Sequence, residues 1–345
     1  MRLTRPPAAI ALTAAALLAA LLPAAALAPG AQARPGQAAA CRPGAAGQDA
    51  TCVRYGPAAA LGAGRVRVYT EHQGSRPRAL GIALTRTALE SLPAEPTDGG
   101  HCHDADSDGR TDPLHECVGG HGRELALPRA GAAGAVPPFQ WALLNWNPHG
   151  HSPHGRYDVA HFDAHFYLVP QRARDDIRLG SCALLIDCAQ LKAASRPVPA
   201  AHLPAGYPAS TPETSEGAMG EHLDSRPPDT GTLTGHTLIY GAYGGEIIFI
   251  EPMLTRTSLT RLRTTAAHRE CAPVPQPAAW LRAGWYPTRY CLAYRPRTDD
   301  FTVSLTGFAH SAQAATPAPA GPPALPAAAP PARPRPRTAA PVAAG

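Results

Sequence analysis

The sequence predicts a mainly β protein, an antiparallel sandwich or barrel with minor helix, and three observations carry that prediction. Short segments alternate apolar and polar residues with period two, glycine or polar turns separate them in pairs, and stretches of helical period are few. An α+β arrangement is the alternative. Eight cysteines in 345 residues add staples to either architecture.

In chain order, the first element is a leader. Arg2 and Arg5 precede an uncharged run over 8–28, and Ala31-Gln32-Ala33 then offers a small-residue cleavage site. Residues 1–33 therefore read as a secretory signal peptide, with Pro23 and the Ala-x-Ala site favouring cleavage over an uncleaved membrane anchor. The expected mature protein is secreted or extracytoplasmic, with no transmembrane segment. Residues 34–64 form an N-terminal extension. Residues 65–310 are expected to be a single β-rich domain, with 97–122 an acidic insert loop. The tail, 311–345, is rich in Ala and Pro and is expected to be disordered.

Within the domain, 65–69 alternates like an edge or surface strand, and 79–92 starts as a strand and ends as a helix before Pro93. An apolar segment over 139–146 leads into a loop rich in Gly, Pro and His. The next strand, 157–167, carries the densest chemistry of the chain. Residues 236–243 and 246–251 flank Gly244-Gly245, the signature of a hairpin, and Pro252 is expected to end its second strand. Residues 290–294 and 301–305 surround a polar turn.

Export gives the cysteines a simple fate, because thiols outside the cytosol tend to pair. Their order suggests Cys41 with Cys52, Cys102 with Cys117, Cys182 with Cys188 and Cys271 with Cys291, among many permitted pairings. The net charge of +5 comes partly from leader and tail, and no basic-aromatic platform accompanies it, so nucleic acid is not an expected partner. Neither a partner nor an oligomeric state follows from the sequence, and a homo-oligomer stays open.

In the 157–167 strand, His161, Asp163 and His165 fall on one face, and Ala160, Phe162, Ala164, Phe166 and Leu168 on the other. Same-face positions two apart lie about 6 to 7 Å from each other, and positions four apart about 13 Å, so the two histidines are not expected to chelate one ion as a simple pair. Asp163 either joins one histidine as ligand or orients it. The site is expected to close with His222, in the loop-like stretch 219–224, and with Glu251. His149, His151, His154 and Asp224 are further candidate ligands or outer partners. Imidazole with carboxylate suits Zn²⁺, Fe²⁺, Mn²⁺ or Cu²⁺. A metal-dependent hydrolase or oxidase follows, with Asp163 or Glu251 as candidate base. The alternative is a non-catalytic envelope or cell-surface module in which the same groups form a structural network.

A second constellation comprises Asp104, Asp106, Asp108, Asp112 and Glu116. Asp at positions one, three and five with Gly109 at six match the start of a Ca²⁺ loop, although His115 stands where the bidentate Glu belongs. A Ca²⁺ site stapled by Cys102 and Cys117 is weighed against a solvated acidic turn.

Taken together, 145–151 (Asn-Trp-Asn-Pro-His-Gly-His), 157–167, 219–222 (Met-Gly-Glu-His), 239–245 (Ile-Tyr-Gly-Ala-Tyr-Gly-Gly) and 249–253 (Phe-Ile-Glu-Pro-Met) resemble a secreted bacterial domain family of unknown function. The resemblance spans about 66–308. Leu223 stands where members commonly carry an aromatic and Ala160 where they carry proline. Neither change removes a candidate ligand. The resemblance groups His161, Asp163, His165, His222 and Glu251 without giving them roles.

Overall fold

The computed structural model describes residues 51–128, 135–226 and 230–312. The leader, Cys41 and residues 313–345 lie outside them. One sheet takes β1 (Thr51–Tyr55), β2 (Ala59–Leu61), β3 (Gly64–Gln73) and β4 (Arg76–Thr85) from the start of the described chain. It is completed by β13 (Arg269–Pro273), β15 (Arg289–Arg295) and β16 (Asp300–Thr306) from its end. Its order is β1-β3-β4-β16-β15-β13, with β2 beside β3. The middle of the chain builds the other sheet from β5 (His121–Ala126), β6 (Trp141–Asn147), β7 (His161–Tyr167), β9 (Ser215–Glu216), β10 (Gly220–Leu223), β11 (His236–Tyr243) and β12 (Glu246–Thr255). Its order is β5-β6-β7-β12-β11-β10-β9. Strand β8 (Leu179–Cys182) pairs locally with Ile186, and β14 (Gly284–Tyr286) pairs with β17 (Ala309–Ser311).

The protein is mainly β, and every ladder between these strands is antiparallel, as predicted. Helices are short: α1 (Arg86–Glu90), α2 (Gln171–Asp175), α3 (Cys188–Ala194) and α4 (Arg256–Thr260). The strand-to-helix switch read in 79–92 is β4 into α1, where the Thr85 side chain accepts from the Ala88 N–H as an N-cap. The hairpin read at Gly244-Gly245 joins β11 to β12, and both glycines take the positive φ, 66° and 86°, that a tight hairpin turn demands.

One apolar core lies between the two sheets. Val66, Val68, Leu80, Ile82, Val303 and Leu305 from the first sheet meet Leu144, Phe162, Ala164, Phe166, Tyr240 and Ile250 from the second. Alternation along β7 does the sorting, sending Phe162, Ala164 and Phe166 into this core and His161, Asp163 and His165 to the far side. That far side is buried as well, under loops and two smaller apolar clusters.

Several expectations change. Residues 51–64, read as an extension, form β1, β2 and the start of β3, and β3 is interior because β1 and β4 flank it. Strand β7 begins at His161, since the preceding residues bend to let Tyr157 bridge His151. The loop-like stretch 219–224 contains β10, paired with β11. Pro252 does not end β12, which runs on to Thr255. It interrupts the ladder instead: pairing with β7 holds at Ile250↔Phe166, skips Glu251 and Pro252, and resumes at Met253↔Asp163. A proline lacks the N–H a ladder needs, so the central strand carries a gap with Glu251 facing His165 across it.

The predicted pairs Cys102–Cys117, Cys182–Cys188 and Cys271–Cys291 are disulfides. Cys52 is also disulfide-bonded, while its expected partner Cys41 lies outside the described residues. Cystines fit an oxidising compartment. Among the described residues, no helix is long and apolar enough to cross a membrane.

Candidate metal centre

The structure distributes the five expected ligands, together with His151, between two neighbouring trios, and all of these residues except His161 line one pocket. The first is His151, His161 and Asp163, and the second is His165, His222 and Glu251. Each trio could hold a metal ion. Strand geometry explains the division: His161 and His165 lie four residues apart on β7, beyond the reach of a common ion.

The first trio is assembled by β7 and the loop before it. His151 Nε2 lies 3.0 Å from His161 Nε2 and 3.2 Å from Asp163 Oδ2, and His161 Nε2 lies 3.1 Å from Asp163 Oδ1. The opposite ring nitrogens are occupied. His151 Nδ1 donates to the Ser152 carbonyl and His161 Nδ1 to the Val159 carbonyl, each at 2.6 Å. That leaves both Nε2 atoms facing the carboxylate. Asn147 Nδ2 donates to Asp163 Oδ2 at 2.5 Å and fixes the carboxylate's rotation.

The second trio spans β7, β10 and β12. Glu251 Oε2 lies 3.4 Å from His165 Nε2 and 3.9 Å from His222 Nε2. His222 Nδ1 lies 3.2 Å from the Thr214 carbonyl, and Glu216 approaches the same nitrogen at 3.9 Å. Phe249 walls the trio, its ring 4.8 Å from that of His165 and 5.3 Å from that of His222. Gly241 leaves room for that ring, because a Cβ there would come within 2.0 Å of it. The Gly241→Ala variant is therefore expected to be less stable by about 1–3 kcal/mol, read as a lower urea midpoint.

Burial sets the charges. It works against ionisation of both His151 and Asp163, yet their mutual hydrogen bond and charge, with His161 beside Asp163, raise His151 to about 9 and hold Asp163 well below the usual carboxylate range. In the second trio burial wins: His165 falls to about 3 and His222 to about 4. Burial lifts Glu216 to about 7, and burial with the nearby Asp163 charge holds Glu251 well above its ordinary value. Of the two candidate bases, Asp163 is thus a weak one, tied to two imidazoles. Burial opposes ionisation of Glu251.

Other predicted residues stand apart. His149 lies 3.0 Å from the Ala94 carbonyl and His154 pairs with Asp158, both exposed. Asp224 lines the pocket but accepts from Tyr157 and pairs with Arg156 and Arg226. Glu216 and Asn147 were not expected at the site. The short segment containing Glu216 has no period to mark it, and Asn147 sits in a recognised motif without a ligand's chemistry.

In the acidic loop, Asp104, Asp106 and Asp108 cluster as a group that could hold an ion, but Asp112 and Glu116 do not join them. Glu116 turns inward and accepts the N–H groups of Ala105, Asp106 and Asp112, while Asp112 pairs with His115.

No family model, curated protein or solved structure matches the chain.

Proposed function

We propose that this is an exported metal-binding protein whose His151, His161 and Asp163 hold one divalent transition ion for hydrolytic chemistry on a small substrate. The observation that carries the reading is the pair of backbone carbonyls gripping both Nδ1 atoms. Ligating histidines are oriented in this way; the two Nε2 atoms lie 3.0 Å apart, one 3.2 Å from Asp163 Oδ2 and the other 3.1 Å from Asp163 Oδ1. Ligands about 2.0–2.1 Å from a shared ion fall about 2.8 to 3.4 Å from one another, depending on the coordination geometry. Two imidazoles and a carboxylate suit zinc, iron, manganese or copper, and three protein ligands leave a coordination position for water. The ion would lower that water's pKa. The pocket encloses about 40 Å³, room for an ion with water but not for a polymer. The motif resemblance noted above supports treating these segments as one site.

A structural reading has its own observation in favour. A proton on His151 can be shared with Asp163 and His161, holding the trio together as an ion-pair network. Elemental analysis of the purified mature protein separates the two, with His151→Ala as the informative variant because His151 is on a loop and its side chain is 32% exposed. Stoichiometric transition metal that falls by one equivalent in His151→Ala is the expected result. Metal-free protein, unable to bind added Zn²⁺ yet destabilised by the substitution, would establish the network instead.

A further inference from the structure

We propose that His165, His222 and Glu251 form a second, separate divalent-metal site, so that the pocket holds two ions side by side. This goes beyond the first trio and rests on different atoms. His165 Nε2 and Glu251 Oε2 are both buried with no hydrogen-bond partner, although they lie only 3.4 Å apart. Both ring nitrogens of His165 and this carboxylate oxygen are left without a partner, and leaving buried polar atoms unsatisfied is costly. A cation between Nε2 and Oε2 satisfies both, since donors about 2.1 Å from an ion in tetrahedral array stand about 3.4 Å apart. His222 Nε2 completes the set at 3.9 Å from the same oxygen, while Thr214 engages its other nitrogen.

The fold supplies the opening for such an ion. The gap that Pro252 makes in the β7–β12 ladder lies where Glu251 faces His165. His222 comes across β11 from β10, so three strands of one sheet each contribute a ligand.

Asp163, Glu216 and Glu251 are three buried carboxylates around one pocket, and Arg156, the arginine on its wall, is engaged with Asp224.

Glu251 and His222 are thus ligands of an ion that the first trio cannot reach. A titration of the metal-stripped full mature chain with Zn²⁺, followed by elemental analysis, tests this directly. Wild type is expected to bind two equivalents. Glu251→Gln, which keeps the side-chain shape, and His222→Ala, at the pocket rim, should each retain one, as should His151→Ala. Circular dichroism spectra matching wild type confirm that the variants fold.

The proposal is overturned if Glu251→Gln and His222→Ala bind as many equivalents as wild type. It is also overturned if wild type binds a single equivalent that every variant loses, which means one shared ion. A single equivalent kept by His151→Ala and lost by His222→Ala supports this site while removing the first. The two readings therefore fail separately.

Discussion

Stripped of metal by a chelator, the protein is expected to become less stable as the pH rises from about 6.5 to about 9. His151 has its folded pKa raised to about 9, so its contribution is complete below 6.5 and is lost as the pH climbs through 9. Glu216, raised to about 7, loses its contribution over the lower part of that window. Glu251, held above its ordinary value by burial, pulls in the same direction. His165 and His222 are depressed, so they subtract stability only below 6.5 as the pH falls, and they are neutral in this window. Every shifted group of the two trios that titrates here therefore pulls the same way. A fully buried group gives roughly 1.4 kcal/mol per pH unit, and the partial exposure of His151 reduces its share. Added Zn²⁺ reverses the trend, because metal binds the deprotonated ligands. Urea midpoints at three pH values, with chelator and with Zn²⁺, read this out. A midpoint that rises with pH under chelator contradicts the charge assignment.

Replacing Asp163 is expected to be the most damaging single change in the pocket. The carboxylate is buried and answers His151, His161 and Asn147 at once. The Asp163→Ala variant strips one partner from a buried charged network, which typically costs about 3–5 kcal/mol. It also removes the only anionic ligand of the first trio. Asp163→Asn preserves the shape and should fall between wild type and Asp163→Ala. Urea unfolding of metal-free protein gives the stability loss, and Zn²⁺ titration gives the lost equivalent. An Asp163→Ala variant as stable as wild type would show that the carboxylate holds nothing together.

Much of this site was legible because β7 sorts its residues by a period of two, and period is what a sequence displays. The same rule showed that His161 and His165 could not share an ion. It did not show that each would find a different partner set, since His151 arrives from a loop and Glu251 from a strand whose pairing depends on tertiary context. Pro252 misled for a physical reason. Proline usually ends a central strand, and here the lost ladder bond lies where Glu251 faces His165. Glu216 left no trace, because a two-residue strand in a turn-rich segment has no pattern to break. In the acidic loop the spacing placed Asp104, Asp106 and Asp108 together, as the structure has them, but not Glu116, which accepts backbone N–H groups instead.

The two faces of the β5–β12 sheet are covered differently, and this bears on timing. The core face is sealed by another sheet, whereas the pocket is walled partly by residues of the loop at 151–157 and of the turn-rich stretch 214–219 around β9. Parting loops breaks fewer ladder bonds than separating sheets, so it draws on the low-cost end of the opening spectrum. For an ion held there, exchange with the medium would be governed by local loop motion, at a rate independent of the slow event that melts the sandwich.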